Sequence, residues 1–212
     1  MWVLQTHGLP APRTGLDSWC LHGLHKIGIT PIVGLPGIML FVLTICWAWL
    51  HWRQEAPEGL PTWTGMIVES CLYALLLWGM YYSLQQWLPQ AKLRVMPTAH
   101  VWIQSAHSVS YLGAGLFEET LFRLVLFGSA WGFLRWLVAP LSAFLLAASA
   151  SSVLFAYAHH LGPMGEAWEP MVFSFRCLAG MFFCVLFALR GYGVSVSTHA
   201  CYDVLVGLAF GH

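Results

Sequence analysis

The side chains of this sequence that could do chemistry lie in three short groups within apolar stretches. They are Glu118, Glu119 and Arg123 in "GAGLFEETLFRLVLFGSAW" at 113–131, His159 and His160 at the end of the next apolar run, and His199 and Asp203 in "VSVSTHACYDVLVGLAF" at 194–210. Placing a charge at membrane depth costs at least ~2.5 to 3.5 kcal/mol. Ionisable groups kept at such positions are therefore candidates for a functional site.

The spacing within two of these groups places the side chains on common helix faces. Glu119 and Arg123 are four residues apart, as are His199 and Asp203, and residues four apart are neighbours on a helix surface. Glu118 points about 100° away from Glu119 because a helix turns once every 3.6 residues. We therefore expect Glu119 to bind Arg123 while Glu118 faces a different partner.

These residue types suit a hydrolytic reaction. A carboxylate and an imidazole can together remove a proton from water, and Glu118 and His159 are the candidates. Arg123 would hold one glutamate ionised. His199 and Asp203 could then stabilise the oxyanion that forms when water attacks a carbonyl, provided that Asp203 is protonated or else orients His199.

The helices that hold these residues are predicted to form a hairpin that turns near Val138 to Pro140. Glu118 lies 20 residues before Val138 and His159 lies 21 after it, so two antiparallel helices rising ~1.5 Å per residue would bring both to similar depth. A helix that returns from Gly191 would leave His199 below that level. We therefore expect the segment "GYGVSVST" at 191–198 to be extended, with a rise of ~3.3 Å per residue.

Composition indicates a membrane protein. Of the 212 residues, 58% are hydrophobic and 8% are charged, whereas a soluble domain has about a quarter charged residues. A bilayer span needs roughly 20 apolar residues. Predicted spans lie at 29–52, 62–88, about 116–136, 137–160, 169–189 and 194–210, with a weaker, mildly apolar segment from 98 to 115. The predicted fold is all-α, a polytopic membrane bundle of six or seven transmembrane helices.

Several other features have structural interpretations. The helix at 137–160 is rich in small residues from Ala143 to Ala158, which favours close packing at the centre of the bundle. The six cysteines form no metal-binding spacing, and we interpret them as packing residues. Glu69, Arg176 and His107 are interpreted as helix-packing or interfacial groups. A net charge of zero and scattered basic residues argue against nucleic-acid binding.

Three motifs resemble those of the CAAX protease and bacteriocin-processing family of membrane proteins, also called CPBP or Abi. The family patterns EExxxR, FxxxH and HxxxN or HxxxD match "EETLFR" at Glu118 to Arg123, "FAYAH" at Phe155 to His159, and "HACYD" at His199 to Asp203, in the family's order. Asp203 stands where asparagine is commoner, and His160 doubles the motif histidine. The resemblance covers about 98 to 210, so we divide the chain into an N-terminal part, 1–97, and a catalytic helical core, 98–212.

The resemblance implies roles for the motif residues. They are water activation by Glu118 and His159, support of the site by Glu119 and Arg123, and completion of an oxyanion pocket by His199 and Asp203. Family members have been described as glutamate-type and as metalloproteases. If a divalent metal such as zinc is present, the ligands would be Glu119, His159 and His199, although the HExxH helix of ordinary zinc peptidases is absent.

The predicted function is that of an intramembrane endopeptidase in a multi-pass protein of a bacterial or archaeal cell membrane. Its expected partners are the lipid bilayer and a membrane-embedded or lipid-modified substrate, which could be a CAAX-type tail, a leader peptide or a C-terminal sorting tail. Two alternatives remain. Ionisable residues in spans also build transporters and proton relays, and the fold could serve as a non-catalytic scaffold or immunity protein.

Overall fold

A computed structural model of the protein describes residues 59–87, 115–161 and 167–210, together with Lys26, Phe41, 43–45 and Ala48. The chain divides into two compact units, 1–56 with 159–166 and 57–158 with 167–212. In the first unit, the described residues before position 49 are helical and those at 159–161 follow the end of a helix. Most of the predicted span at 29–52, nearly all of the weak segment at 98–115, His107 and the boundary after residue 97 lie outside the described residues.

The second unit is built from helices. They are α1 (Leu60–Trp87), a π-helix (Glu119–Phe127) entered through a helical turn at 115–118, α2 (Gly128–Leu134), α3 (Pro140–Ala158), α4 (Pro170–Arg190) and α5 (Tyr192–Phe210). Within the described residues, α1, α3 and α4 are long and apolar enough to cross a bilayer. The predicted all-α membrane bundle is thereby confirmed.

The helix with the charged motif differs from its prediction. An α-helix was expected from about 116 to 136, but Glu119–Phe127 is π-helical, and the backbone N–H of Gly128 bonds to the carbonyl of Arg123, five residues back. A neighbouring helix takes part in this hydrogen bonding, since Ser151 Oγ on α3 donates to the carbonyl of Phe122 at 2.7 Å. That partner is distant in sequence, so local periodicity could not reveal the wider turn.

The predicted hairpin is confirmed. Helix α2 ends at Leu134, a turn follows, and α3 begins at Pro140. Aromatic rings match the two arms in antiparallel order, because Phe127 meets Phe144 and Phe122 meets Phe155 in edge-to-face contacts at 5.6 and 5.4 Å between centroids. The hairpin therefore has the register that the chain length between its arms requires.

Helices α3 and α4 come close enough to require small residues. A Cβ added to Gly180 would lie 2.9 Å from both Cα and Cβ of Ser152, which is shorter than a van der Waals contact. The small-residue face of α3, with Ala143, Ala147 and Ser151 buried, thus packs as the sequence predicted.

The expected extended segment at 191–198 is wrong. Only Gly191 leaves the helical conformation, with φ of 85°, and α5 begins at Tyr192. Helical geometry lets α5 bury one face against α1, where Val194 joins the core around Leu77 and Tyr81, and this burial outweighs the β preference of valine and threonine. The extended rise is not needed, because the helical α5 already brings His199 Nδ1 within 2.9 Å of Glu119 Oε1.

Candidate active site

Glu119 lies at the centre of a buried polar cluster. Its Oε1 atom is 3.2 Å from Arg123 Nη1 and 2.9 Å from His199 Nδ1, and its Oε2 atom accepts a hydrogen bond from Ser195 Oγ at 2.5 Å. The side chain is fully buried. A carboxylate in an apolar interior is tolerated when its oxygens are hydrogen-bonded or paired, and here both oxygens have partners. The predicted pairing of Glu119 with Arg123 is confirmed.

Arg123 is the largest fully buried side chain among the described residues. Its guanidinium carbon lies 4.2 Å from the ring centroid of Phe155 and 5.1 Å from that of Phe183. Within the described part of the chain, its nitrogen atoms form no hydrogen bond of regular geometry. The cation is therefore stabilised by the ion pair with Glu119 and by the two aromatic faces, and it has little freedom to move.

The two ring nitrogens of His199 have different surroundings. Nδ1 donates to Glu119, while Phe183 stacks on the ring at an interplanar angle of 19°. Nε2 lies 3.6 Å from Glu118 Oε2 and 3.8 Å from Asp203 Oδ2. These two distances are too long for direct hydrogen bonds, so a water or substrate oxygen beside Nε2 would be within reach of all three side chains.

Glu118 occupies a different position from its neighbour. Its side chain is 4% exposed and faces the Nε2 edge of His199, whereas Glu119 takes the Nδ1 edge. The helical turn at 115–118 lies close to α5, since a Cβ on Gly115 would be 3.4 Å from the backbone nitrogen of Ala200. The two glutamates thus bracket one imidazole, which agrees with the predicted divergence of the pair.

Two polar contacts in this cluster were missed by the sequence analysis. Ser195 precedes His199 by four residues, as His199 precedes Asp203, and all three side chains lie on one face of α5 towards the glutamates. One turn earlier, the Tyr192 hydroxyl and Thr120 Oγ1 are 2.6 Å apart. The spacing of four could have suggested Ser195, but serine is common in membrane helices, where it often bonds to its own backbone.

His159 immediately follows α3 and is half-buried, as is His160. Both belong to the unit that contains residues 1–56, so the predicted meeting of His159 with Glu118 stays a prediction. Among residues 59–87, 115–161 and 167–210 and the isolated described positions, no three His, Cys, Asp or Glu side chains are arranged to hold a metal ion. The zinc site considered from the sequence, with Glu119, His159 and His199 as ligands, stays a prediction, because His159 belongs to the other unit.

The ionisable groups interpreted as structural lie outside this cluster or at its edge. Glu69 on α1 pairs with Arg190 at the end of α4, with nitrogen to oxygen distances of 2.5 and 2.6 Å. Arg176 is half-buried on α4. Of the cysteines, Cys71, Cys177, Cys184 and Cys201 are described, and each is a free thiol.

The fold and the site define an integral membrane helix bundle with a buried cluster of glutamate, arginine and histidine. The model of the Rce1-like family, the type II CAAX prenyl endopeptidases, matches residues 100–205, half of the chain and all three motifs. The protein therefore belongs to this family, which is a family of membrane proteases. No curated protein and no solved structure matches the chain significantly.

Proposed function

We propose that the protein is an intramembrane endopeptidase in which Glu118 is the base that activates water. The observation that supports this most directly is the different environment of the two glutamates. Both oxygens of Glu119 are engaged by three side chains, while Glu118 Oε2 faces His199 Nε2 across 3.6 Å. We therefore assign Glu119 to holding Arg123, His199 and Ser195 in place. Glu118 is the proposed base because it faces the Nε2 edge of His199, where a water or substrate oxygen would be within reach.

His199 is proposed to stabilise the oxyanion. Because Nδ1 donates to Glu119, a second proton on the ring would reside on Nε2 and point towards Glu118 and Asp203. An oxygen that gains negative charge there would accept this proton's hydrogen bond. Asp203, four residues further along α5, is proposed to orient the ring or, if protonated, to add a second donor.

The proposed reaction is a balanced hydrolysis. Glu118, assisted by His159, takes one proton from a water molecule, and the water oxygen bonds to the carbonyl carbon of the peptide. His199 stabilises the resulting oxyanion. The C–N bond then breaks, and the proton held by Glu118 passes to the leaving amine. The role of His159 follows from the FxxxH motif and the predicted hairpin register.

The substrate is proposed to be a membrane-anchored or lipid-modified protein or peptide. Membership of the CAAX prenyl endopeptidase family favours a CAAX-type tail over a leader peptide or a C-terminal sorting tail. A site buried among apolar helices also favours a substrate that enters from the bilayer, since a soluble peptide would first have to leave water.

The experiment that tests this proposal is a cleavage assay with the purified protein in detergent. The panel contains a farnesylated CAAX peptide, the same peptide without the lipid, and an acylated leader peptide. Glu118→Gln keeps the shape of the side chain and removes the base, so we expect kcat to fall roughly 10²- to 10⁴-fold, the range for loss of a general base. His159→Ala should give a loss of similar kind.

The matched control is Glu69→Gln, the same change on α1 in an ion pair outside the cluster. Its kcat should equal that of the unchanged protein, and gel filtration should show that all variants are folded. Equal cleavage by Glu118→Gln and the control would disprove the proposed chemistry. A chelator added to the same assay tests for a metal, and an unchanged rate is the expected outcome.

A further inference from the structure

Two thiols on different helices are in contact. Cys71 Sγ of α1 and Cys201 Sγ of α5 are 3.7 Å apart, although 130 residues separate them in the chain. Cys71 is exposed and lies within the membrane-spanning part of α1, and Cys201 is half-buried, so a small reagent dissolved in the bilayer can reach the pair from the side of α1. The proposed hydrolysis uses neither thiol.

A hydrogen bond connects α1 to α5 at Ser70, the residue before Cys71. Ser70 Oγ lies 3.5 Å from the carbonyl oxygen of Val194, which joins α1 to the first turn of α5. Val194 is also buried with Leu77 in the core between the two helices. Because packed helix interfaces hold their side chains in fixed positions, the contact between the sulfurs is a property of the folded α1–α5 interface.

Cys201 lies on the back of the turn that bears the candidate site. It follows His199 by two residues and precedes Asp203 by two, which is about 200° around the helix from each. The front of this turn therefore faces the glutamates and the back faces α1. A covalent bond at Cys201 would fix the rotation of this turn without touching any of the groups proposed to react.

We propose that Cys71 and Cys201 form an intramolecular disulfide site that links α1 to α5 under oxidising conditions. The oxidant is a small disulfide that can enter the membrane. Cys71, the more exposed thiol, attacks it as the thiolate and forms a mixed disulfide while one small thiol leaves. Cys201 then attacks the Cys71 sulfur, and the second small thiol leaves. The protein loses two electrons and two protons, and the oxidant is reduced to two thiols.

The test uses the folded full-length protein in detergent, treated with dipyridyl disulfide and then digested after alkylation of the remaining thiols. Mass spectrometry should detect one peptide pair that joins Cys71 to Cys201, and reduction before digestion should abolish it. A non-reducing gel should show the monomer, because the bond is intramolecular. A linked dimer, or both cysteines found only as separate mixed disulfides, would overturn the proposal.

Variants of neighbouring cysteines provide the matched controls. Cys71→Ser and Cys201→Ser should each reduce the linked peptide to background, whereas Cys177→Ser should leave its yield unchanged. If Cys177→Ser removes the link, another pairing is responsible and the assignment is wrong. These measurements do not depend on any peptidase activity of the protein itself, so they succeed or fail independently of the proposed function.

Discussion

Glu119 with Arg123 and Glu69 with Arg190 are carboxylate and guanidinium pairs of this bundle that have opposite surroundings. Glu119 and Arg123 are completely buried, 3.2 Å apart, and linked to His199 and Ser195. Glu69 and Arg190 are closer, at 2.5 Å, but their side chains are 23% and 51% exposed. Arg190 also ends α4, where a cation is favoured by the helix dipole. The pair with the shorter distance, Glu69 with Arg190, is thus the more exposed one, whereas the longer pair is linked to further side chains.

The difference shows that a short distance does not identify a functional ion pair. Glu69 and Arg190 are not fully enclosed by other helices, and Arg190 ends its helix, where a long basic side chain can reach the membrane surface. Their pairing is therefore expected to add little to stability. A buried pair must repay the cost of desolvation through further contacts. The contacts that do so here are two phenylalanine rings around Arg123 and the side chains of Ser195 and His199 beside Glu119. One of these rings, Phe183, also stacks on His199 and so helps to position it. Connection to other groups, and not proximity, distinguishes the candidate site.

The largest expected effect comes from removing one partner of the buried pair. Arg123→Met should lower the free energy of unfolding by about 3 to 5 kcal/mol, because Glu119 is left as an uncompensated buried charge. Arg190→Met should change it less, since Glu69 is not fully enclosed by other helices and can become neutral by taking up a proton. Thermal unfolding of both variants in the same detergent measures the contrast, and equal losses would show that burial does not separate the two pairs.

Removing a single hydrogen bond from the buried pair should have a smaller effect. Ser195→Ala leaves Glu119 Oε2 without the donor seen at 2.5 Å, and a hydrogen bond to a charged group is worth about 1.5 to 3 kcal/mol. Stability should fall by that order, and Ser195→Thr, which keeps a hydroxyl, should recover part of it. A stability unchanged in Ser195→Ala would mean that Ser195 does not hold the carboxylate.

The rings on either side of Arg123, Phe155 and Phe183, belong to α3 and α4. The distance between these two helices can be tested at their closest contact. Gly180→Ala puts a methyl group 2.9 Å from the Cα of Ser152, and such overpacking costs about 1 to 3 kcal/mol. Gly79→Ala on α1 meets nothing within 4 Å and should be neutral or stabilising, because alanine favours helices. If Gly180→Ala and Gly79→Ala were both destabilising, the cause would be the loss of glycine from the helix backbone and not the contact between Gly180 and Ser152.

The smallest effect is expected at the exposed pair itself. Glu69→Gln removes the charge that faces Arg190, and Arg190, at the end of α4, can extend to the water at the membrane surface in its absence. The melting temperature and the cleavage rate should both match those of the unchanged protein. A large loss of activity with an unchanged melting temperature would instead assign Glu69 a part in the reaction, and the contrast between the two pairs would fail.

Much of the fold followed from local sequence. Apolar length predicted α1, α3, α4 and α5 within a few residues, the hairpin turn was predicted near Val138 to Pro140, where α3 begins, and the spacing of four predicted the pair of Glu119 with Arg123. These features depend on residues close together in the chain. Two expectations were wrong, the α-helix where Glu119–Phe127 is π-helical and the extended segment where α5 begins. Both regions contact partners distant in sequence, Ser151 of α3 and the core beside α1.

The sequence by itself identified the candidate site residues, since a few ionisable groups in an apolar chain are conspicuous and their motifs fall in a fixed order. Only the tertiary structure decided which partners each of these residues has. Glu118 and Glu119 are adjacent and chemically identical, and it is the approach of α5 that gives one of them Ser195 and His199 Nδ1 and leaves the other beside Nε2. The physical reason is that a side chain's role depends on its neighbours in space, and packing alone chooses those neighbours.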